Sequence, residues 1–104
     1  MPDSLTRSDV HDRLAAASGE IFRLGVRRLA LFGSVQRNDA RPDSDVDFLV
    51  EFAPEEKTYR HLFALGELLE HLLGRRVELV TPEGLSPFIG PHILAEAKDV
   101  IRAA

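Results

Sequence analysis

Apolar residues recur along this chain with two different periods, and the switches between them predict its elements. From Ser8 to about Leu24, the residues Val10, Leu14, Ala17, Ile21 and Leu24 fall on one helical face. Ser8-Asp9 can cap its start and Gly25 can stop it. Arg28 to Phe32 is a short apolar run ended by Gly33, the pattern of a strand buried on both faces. Ser34 to Ser44 is polar and contains Pro42, leaving room for one helical turn and a loop. Asp45 to Phe52 then alternates. Val46, Phe48, Val50 and Phe52 point one way, Asp45, Asp47, Leu49 and Glu51 the other, and Pro54 ends the strand.

From Thr58 to Leu73, the leucines at 62, 65, 68, 69, 72 and 73 make a wide helical stripe closed by Gly74. Val77 to Val80 is a third strand, stopped by Thr81-Pro82, and Glu83 to Pro91, with two glycines and two prolines, is a loop. His92 to the C-terminus, carrying Ile93, Leu94, Ala97, Val100 and Ile101, has the spacing of a last helix. The order α-β-(turn)-β-α-β-α predicts an α/β (α+β) two-layer domain, with at least three strands covered by helices. The connection between the first two strands is too short for a full helix, so their pairing can be parallel or antiparallel. The third strand follows a full helix, which predicts a right-handed crossover.

Composition narrows the class. The chain has 104 residues, 44% hydrophobic and 29% charged, and is expected to fold as a single domain over 1–104. Its net charge of −4 argues against direct nucleic-acid binding, which needs a basic footprint. The absence of cysteine excludes disulfides, thiolate catalysis and cysteine-based zinc sites. The start, Met1-Pro2-Asp3-Ser4-Leu5, lacks the basic-then-apolar pattern of a signal peptide, and no apolar run reaches the length of a membrane span. A cytoplasmic location is the expectation.

Two features carry chemistry. Gly33-Ser34 directly follows the first strand, where glycine lets backbone approach a ligand and the next N–H groups and the Ser34 hydroxyl make a small anion site; a plain turn fits the same two residues. Ser44-Asp45-Val46-Asp47 opens the second strand, so both carboxylates project from one side with Cα atoms about 6.5–7 Å apart. That pair is either a solvated acidic face or a seat for a hard cation such as Mg²⁺. Glu78 shifts the balance, because it stands alone in the apolar strand Val77-Glu78-Leu79-Val80. An ionised carboxylate there needs solvent, a cationic partner or a metal. Arg75-Arg76 can supply an ion pair. Alternatively, if the third strand lies beside the second, Glu78 joins Asp45 and Asp47 in one acidic cluster.

The run from Gly33 to Asp47 resembles the signature of the DNA polymerase β-like nucleotidyltransferases, and more narrowly of the minimal nucleotidyltransferases (MNT) that act as antitoxins beside HEPN-domain proteins. The matching residues are Gly33-Ser34, Arg37 three positions after the serine, and Ser44-Asp45-Val46-Asp47 ten positions on. The resemblance covers nearly the whole chain and implies the minimal nucleotidyltransferase fold, with a small mixed sheet. It implies that Gly33, Ser34, Arg37 and Ser44 contact the nucleotide, and that Asp45, Asp47 and Glu78 are the catalytic acids and hold Mg²⁺, with ATP as substrate. Arg37 can instead pair with Asp39 or Asp43. Glu78 falls where the family commonly has aspartate, and Asn38 where it usually has glycine; asparagine tolerates a left-handed backbone. The implied reaction is transfer of AMP from ATP to a protein hydroxyl, a tyrosine of a cognate HEPN toxin. The alternative is a catalytically weak or inactive antitoxin that neutralises the toxin by contact. Homo- or hetero-oligomerisation is open.

Other residues are given ordinary roles. His11, His61, His71 and His92 lack the spacing of metal ligands, and Arg27-Arg28 and Arg75-Arg76 read as solvated charge flanking one end of the sheet. The leucine stripe is core, with an excess that can reach a partner surface, and Tyr59, which can be exposed at a helix start, is assigned no role.

Overall fold

Thr6, ahead of the expected Ser8-Asp9 cap, opens the first helix. Its hydroxyl accepts from the Asp9 N–H at 3.1 Å while the Asp9 carboxylate accepts from the Thr6 N–H at 3.0 Å, a reciprocal capping box. The computed structural model describes residues 5–103. Met1 to Ser4, on which the expectation about a signal peptide falls, and Ala104 lie outside the described residues.

The single helix expected over 8–24 is two, α1 (Arg7–Ala16) and α2 (Ser18–Arg23). The break falls at Ala17, just ahead of Ser18-Gly19, two residues that favour a helix interior poorly. The first strand, β1, runs Val26–Phe32, so Arg28 lies inside it rather than before it. Gly33–Gln36 forms the single helical turn expected, α3, and Asn38 after it sits in the left-handed region at φ 59°. Strand β2 is Val46–Phe52, and it pairs antiparallel with β1, which settles the pairing that the short connection leaves open. Helix α4, Tyr59–Leu73, starts at a Thr58 cap and ends at Gly74 in the left-handed conformation, φ 65°. Strand β3 (Val77–Val80) then pairs parallel with β2, as a helical crossover requires.

The end of the chain departs from expectation. A 3₁₀ turn, Pro82–Gly84, interrupts the predicted loop, and α5 spans only Gly90–Glu96. Lys98–Arg102 is not helix but strand β4, antiparallel to β1, giving the sheet order β3-β2-β1-β4. The reason is tertiary. From Leu29 to Phe32, β1 is buried, and without β4 one row of its backbone groups would be buried unpaired. Val100 and Ile101, β-branched, suit that edge as well as they suit a helix.

The two sheet faces are unequally covered. On one, Leu29, Leu31, Val46, Phe48, Val50 and Ile101 pack against Val10 and Leu14 of α1, Ile21 of α2 and Leu65, Leu69 and Leu73 of α4. On the other, a small cluster of Ala30, Phe32, Leu49 and Ala97 is covered by Val80, Leu85 and Ile93. Along α4 the large apolar side chains left exposed are Tyr59 and Phe63 rather than the doubled leucines, which lean on the core. Among the described residues, no helix is long and apolar enough to cross a membrane.

Candidate active site

The site is assembled where β1 ends. Phe32 pairs with Asp47 across the antiparallel ladder, and Gly33 follows it with φ 82°, a backbone region that side chains with a Cβ avoid. The Asp47 side chain occupies the space that a Cβ on Gly33 would fill, with its Cγ 3.0 Å from that position. Glycine at 33 is therefore needed twice, for its backbone angle and for the approach of the carboxylate. The turn α3 begins there, with its first N–H groups lacking carbonyl partners inside the helix.

On the other side of Asp47 lies Glu78. The parallel register sets Asp47 beside Glu78, on the less covered sheet face. β3 is an edge strand and Glu78 is exposed, which removes the cost of burying its charge. The two carboxylates are thus neighbours across β2 and β3. Burial, the Glu78 hydrogen bond and the charges of Glu78 and Asp45 push Asp47 up to about 6, against a weaker opposing pull from Arg37. Asp45 immediately precedes β2 and acts on Asp47 through its charge. The sheet thus sets Asp47 beside Glu78, with Asp45 acting on Asp47 from just outside the strand. Among the described residues, no three such side chains form a ready metal cage. The donors themselves, carboxylate oxygens with excess negative charge, are those a hard divalent cation takes.

Arg37, fixed by its N–H to the Gly33 carbonyl at 3.1 Å, places its Nη1 2.6 Å from Glu96 and its Nε 3.3 Å from Asp39. Of the two partners expected for it, Asp39 is one and Asp43 is not; Glu96 is a third that the sequence does not announce. Glu96 leaves no local signal, because it is 59 residues away and only the packing of α5 beside α3 delivers it. Ser44 closes the loop ahead of the acids: its hydroxyl accepts from the Arg41 N–H at 2.8 Å and its own N–H donates to the Arg41 carbonyl at 3.0 Å. Arg75 donates to that same carbonyl at 3.3 Å. Gln36, the last residue of α3, is a buried polar side chain whose Oε1 has no partner among the described residues.

Arg28 is not solvated charge at a strand end. It lies between Glu51 of β2 at 2.8 Å and Asp99 of β4, and both hydrogen bonds hold its proton more tightly. A concavity of about 630 Å³ lies elsewhere, at the start of α1, among Leu5, Thr6, Arg7, His11 and Asn38. It has no acidic group, so size alone does not mark the site.

Comparison with known proteins points the same way. Residues 12–100 match the family model described as nucleotidyltransferase domain. A relative from Thermococcus cleftensis, named protein adenylyltransferase MntA, is 41% identical over 93 residues, which cover 88% of this chain and 93% of that one. A solved structure of a minimal nucleotidyltransferase superposes with a TM-score of 0.78 at 38% identity, covering 90% of this chain and 95% of the other. A toxin–antitoxin structure with AMP-PNP shares the fold, with a TM-score of 0.68 at 19% identity over 89% of this chain and 73% of that one.

Proposed function

The chain belongs to the nucleotidyltransferase domain family and is a minimal nucleotidyltransferase; from that premise we propose that it transfers AMP from ATP to a tyrosine of a HEPN-domain toxin, acting as that toxin's antitoxin. The observation that carries the reading is the facing pair Asp47 and Glu78, two acids side by side on neighbouring strands whose mutual repulsion the pull of Arg37 on Asp47 does not offset. Nothing in folding rewards that arrangement. A divalent ion would, and one held by these acids would lie beside the turn at Gly33, whose Cβ position the Asp47 side chain fills.

Asp45, Asp47 and Glu78 would hold Mg²⁺, which supplies charge neutralisation at the triphosphate and lowers the pKa of the acceptor hydroxyl. Gly33 and the N–H groups after it receive phosphate oxygens, because no side chain stands between that backbone and the ligand. The Ser34 hydroxyl adds a donor, and Arg37 adds positive charge. Ser44 keeps the loop folded just ahead of Asp45, which leads into β2, and so stands where it can contact the nucleotide as well. Alignment and charge compensation do most of the work, so no histidine is required. The chemistry of the donors survives the extra methylene of Glu78, because an exposed edge strand leaves that side chain free to adjust.

Incubation with labelled ATP, Mg²⁺ and the HEPN protein encoded nearest to this chain tests the reading. Label on a toxin tyrosine, lost in Asp45→Asn and in Asp47→Asn, is the expected result. Neutralisation of the toxin that persists in both variants, without label, overturns transfer in favour of inhibition by contact.

A further inference from the structure

Arg37 is gripped by two carboxylates of different origin. Asp39 is local, 62% exposed and 3.3 Å away; Glu96 is 26% exposed and 2.6 Å away. Glu96 ends α5, and the next residue, Ala97, donates its N–H to Ile93 at 2.9 Å and is buried against Ala30 and Phe32. Phe32 is the residue before Gly33. The backbone that carries Glu96 is therefore anchored to the strand end that carries the phosphate turn. Asp39 takes Nε and Glu96 takes Nη1, which leaves Nη2 with no partner among the described residues. A guanidinium is a rigid planar fork, so fixing two of its nitrogens fixes where the third points.

We propose that Glu96 is a positioning residue for nucleotidyl transfer, holding the Arg37 guanidinium so that Nη2 is presented to the triphosphate beside Gly33. The inference rests on the phosphate-contacting role given to Arg37 above. Loss of Glu96 leaves Arg37 held only by its exposed neighbour Asp39, and its long side chain then samples many rotamers. The effect falls on nucleotide binding. Glu96 touches no reacting atom, so the chemical step itself is spared.

Calorimetric titration of ATP in Mg²⁺ into the full chain and its variants tests this, with steady-state KM and kcat of transfer measured in parallel. Glu96→Ala is expected to raise both the Kd and the KM for ATP by about five- to tenfold, with kcat within about twofold. Glu96→Asp is expected to recover part of the loss, which a purely structural role would not give. In an Arg37→Ala background, Glu96→Ala should add nothing. Unchanged or tighter ATP binding in Glu96→Ala, or an equal further loss without Arg37, overturns the proposal. Should Glu96→Ala fail to fold by circular dichroism, Glu96→Gln, which keeps the size and loses the charge, carries the same expectations. If the unaltered chain binds no ATP, the nucleotide reading itself fails; if it binds ATP and Glu96→Ala binds it equally well, only the role of Glu96 fails.

Discussion

Two rows of charge cross the less covered face of the sheet, and they are built by opposite rules. At one end, Glu51 of β2, Arg28 of β1 and Asp99 of β4 alternate in sign across three strands. At the other, Asp47 of β2 meets Glu78 of β3, acid against acid. The surroundings of the two aspartates carry the difference. Burial alone would raise Asp99, yet hydrogen bonds from Arg28 and Arg102 hold it below the usual aspartate range. Burial, Glu78 and Asp45 push Asp47 up to about 6. The same sheet that neutralises one set of acids with its own arginine sets the other pair acid against acid, with only a weaker pull from Arg37. The first row serves the fold; the second, on the reading proposed above, serves a ligand.

The largest way to break this contrast is Asp47→Asn. Transfer should fall by on the order of 10³-fold, because the proposed role makes Asp47 a principal metal ligand. Stability should move the other way. With a folded pKa above the ordinary value of 3.8, Asp47 costs nothing below about pH 4; its cost appears between about pH 4 and 6 and is complete above that. Urea unfolding of the ion-free chain should therefore show Asp47→Asn more stable by about 1 kcal/mol at about pH 7.5, after allowance for solvent screening, and no different at about pH 3.5. An Asn variant that is less stable near neutrality would mean that Asp47 is already well compensated. Gly33→Ala comes next. Its Cβ meets the Asp47 carboxylate on a backbone at φ 82°, so about 1–2 kcal/mol of stability and on the order of 100-fold of transfer should be lost together.

Asp99→Asn sharpens the comparison from the other row. Its folded pKa is depressed, so its stabilisation is present above the unfolded value and is lost as pH falls through the folded one. The variant should be less stable by up to about 1 kcal/mol at about pH 7, with the difference disappearing at acid pH, and transfer should stay within about threefold. Opposite signs for Asp47→Asn and Asp99→Asn in one pH series are the signature sought.

Much of this is legible in the chain itself, and what is not has a physical cause. The alternation of Asp45 to Phe52 fixes which side of β2 carries Asp47, because side chains in a strand have a period of two. Gly33 ends an apolar run, and Asn38 announces a left-handed residue. The end of the chain misleads, since Ile93, Leu94, Ala97, Val100 and Ile101 satisfy a helical period; only the open edge of β1 decides for β4. Arg28 reads as flanking charge because neither Glu51 nor Asp99 is near it in sequence. Glu96 is invisible for the same reason. Local pattern gives elements and faces, whereas partners across strands come from topology.

The smallest test concerns the second uncompensated group in the site turn. Gln36 is buried, and its Oε1 finds no donor among the described residues, so folding strips that acceptor of water and returns no hydrogen bond for it. Methionine has a similar length and no strong acceptor. Gln36→Met should therefore be neutral or stabilising, by up to about 1 kcal/mol in urea unfolding at about pH 7, with the α3 turn intact. A loss of more than about 1 kcal/mol would show that the amide has a donor after all. A gain would place Gln36 beside Asp47 as a polar group in the turn region that the fold alone leaves unmatched, and it would extend the contrast between the two charged rows from carboxylates to a neutral side chain.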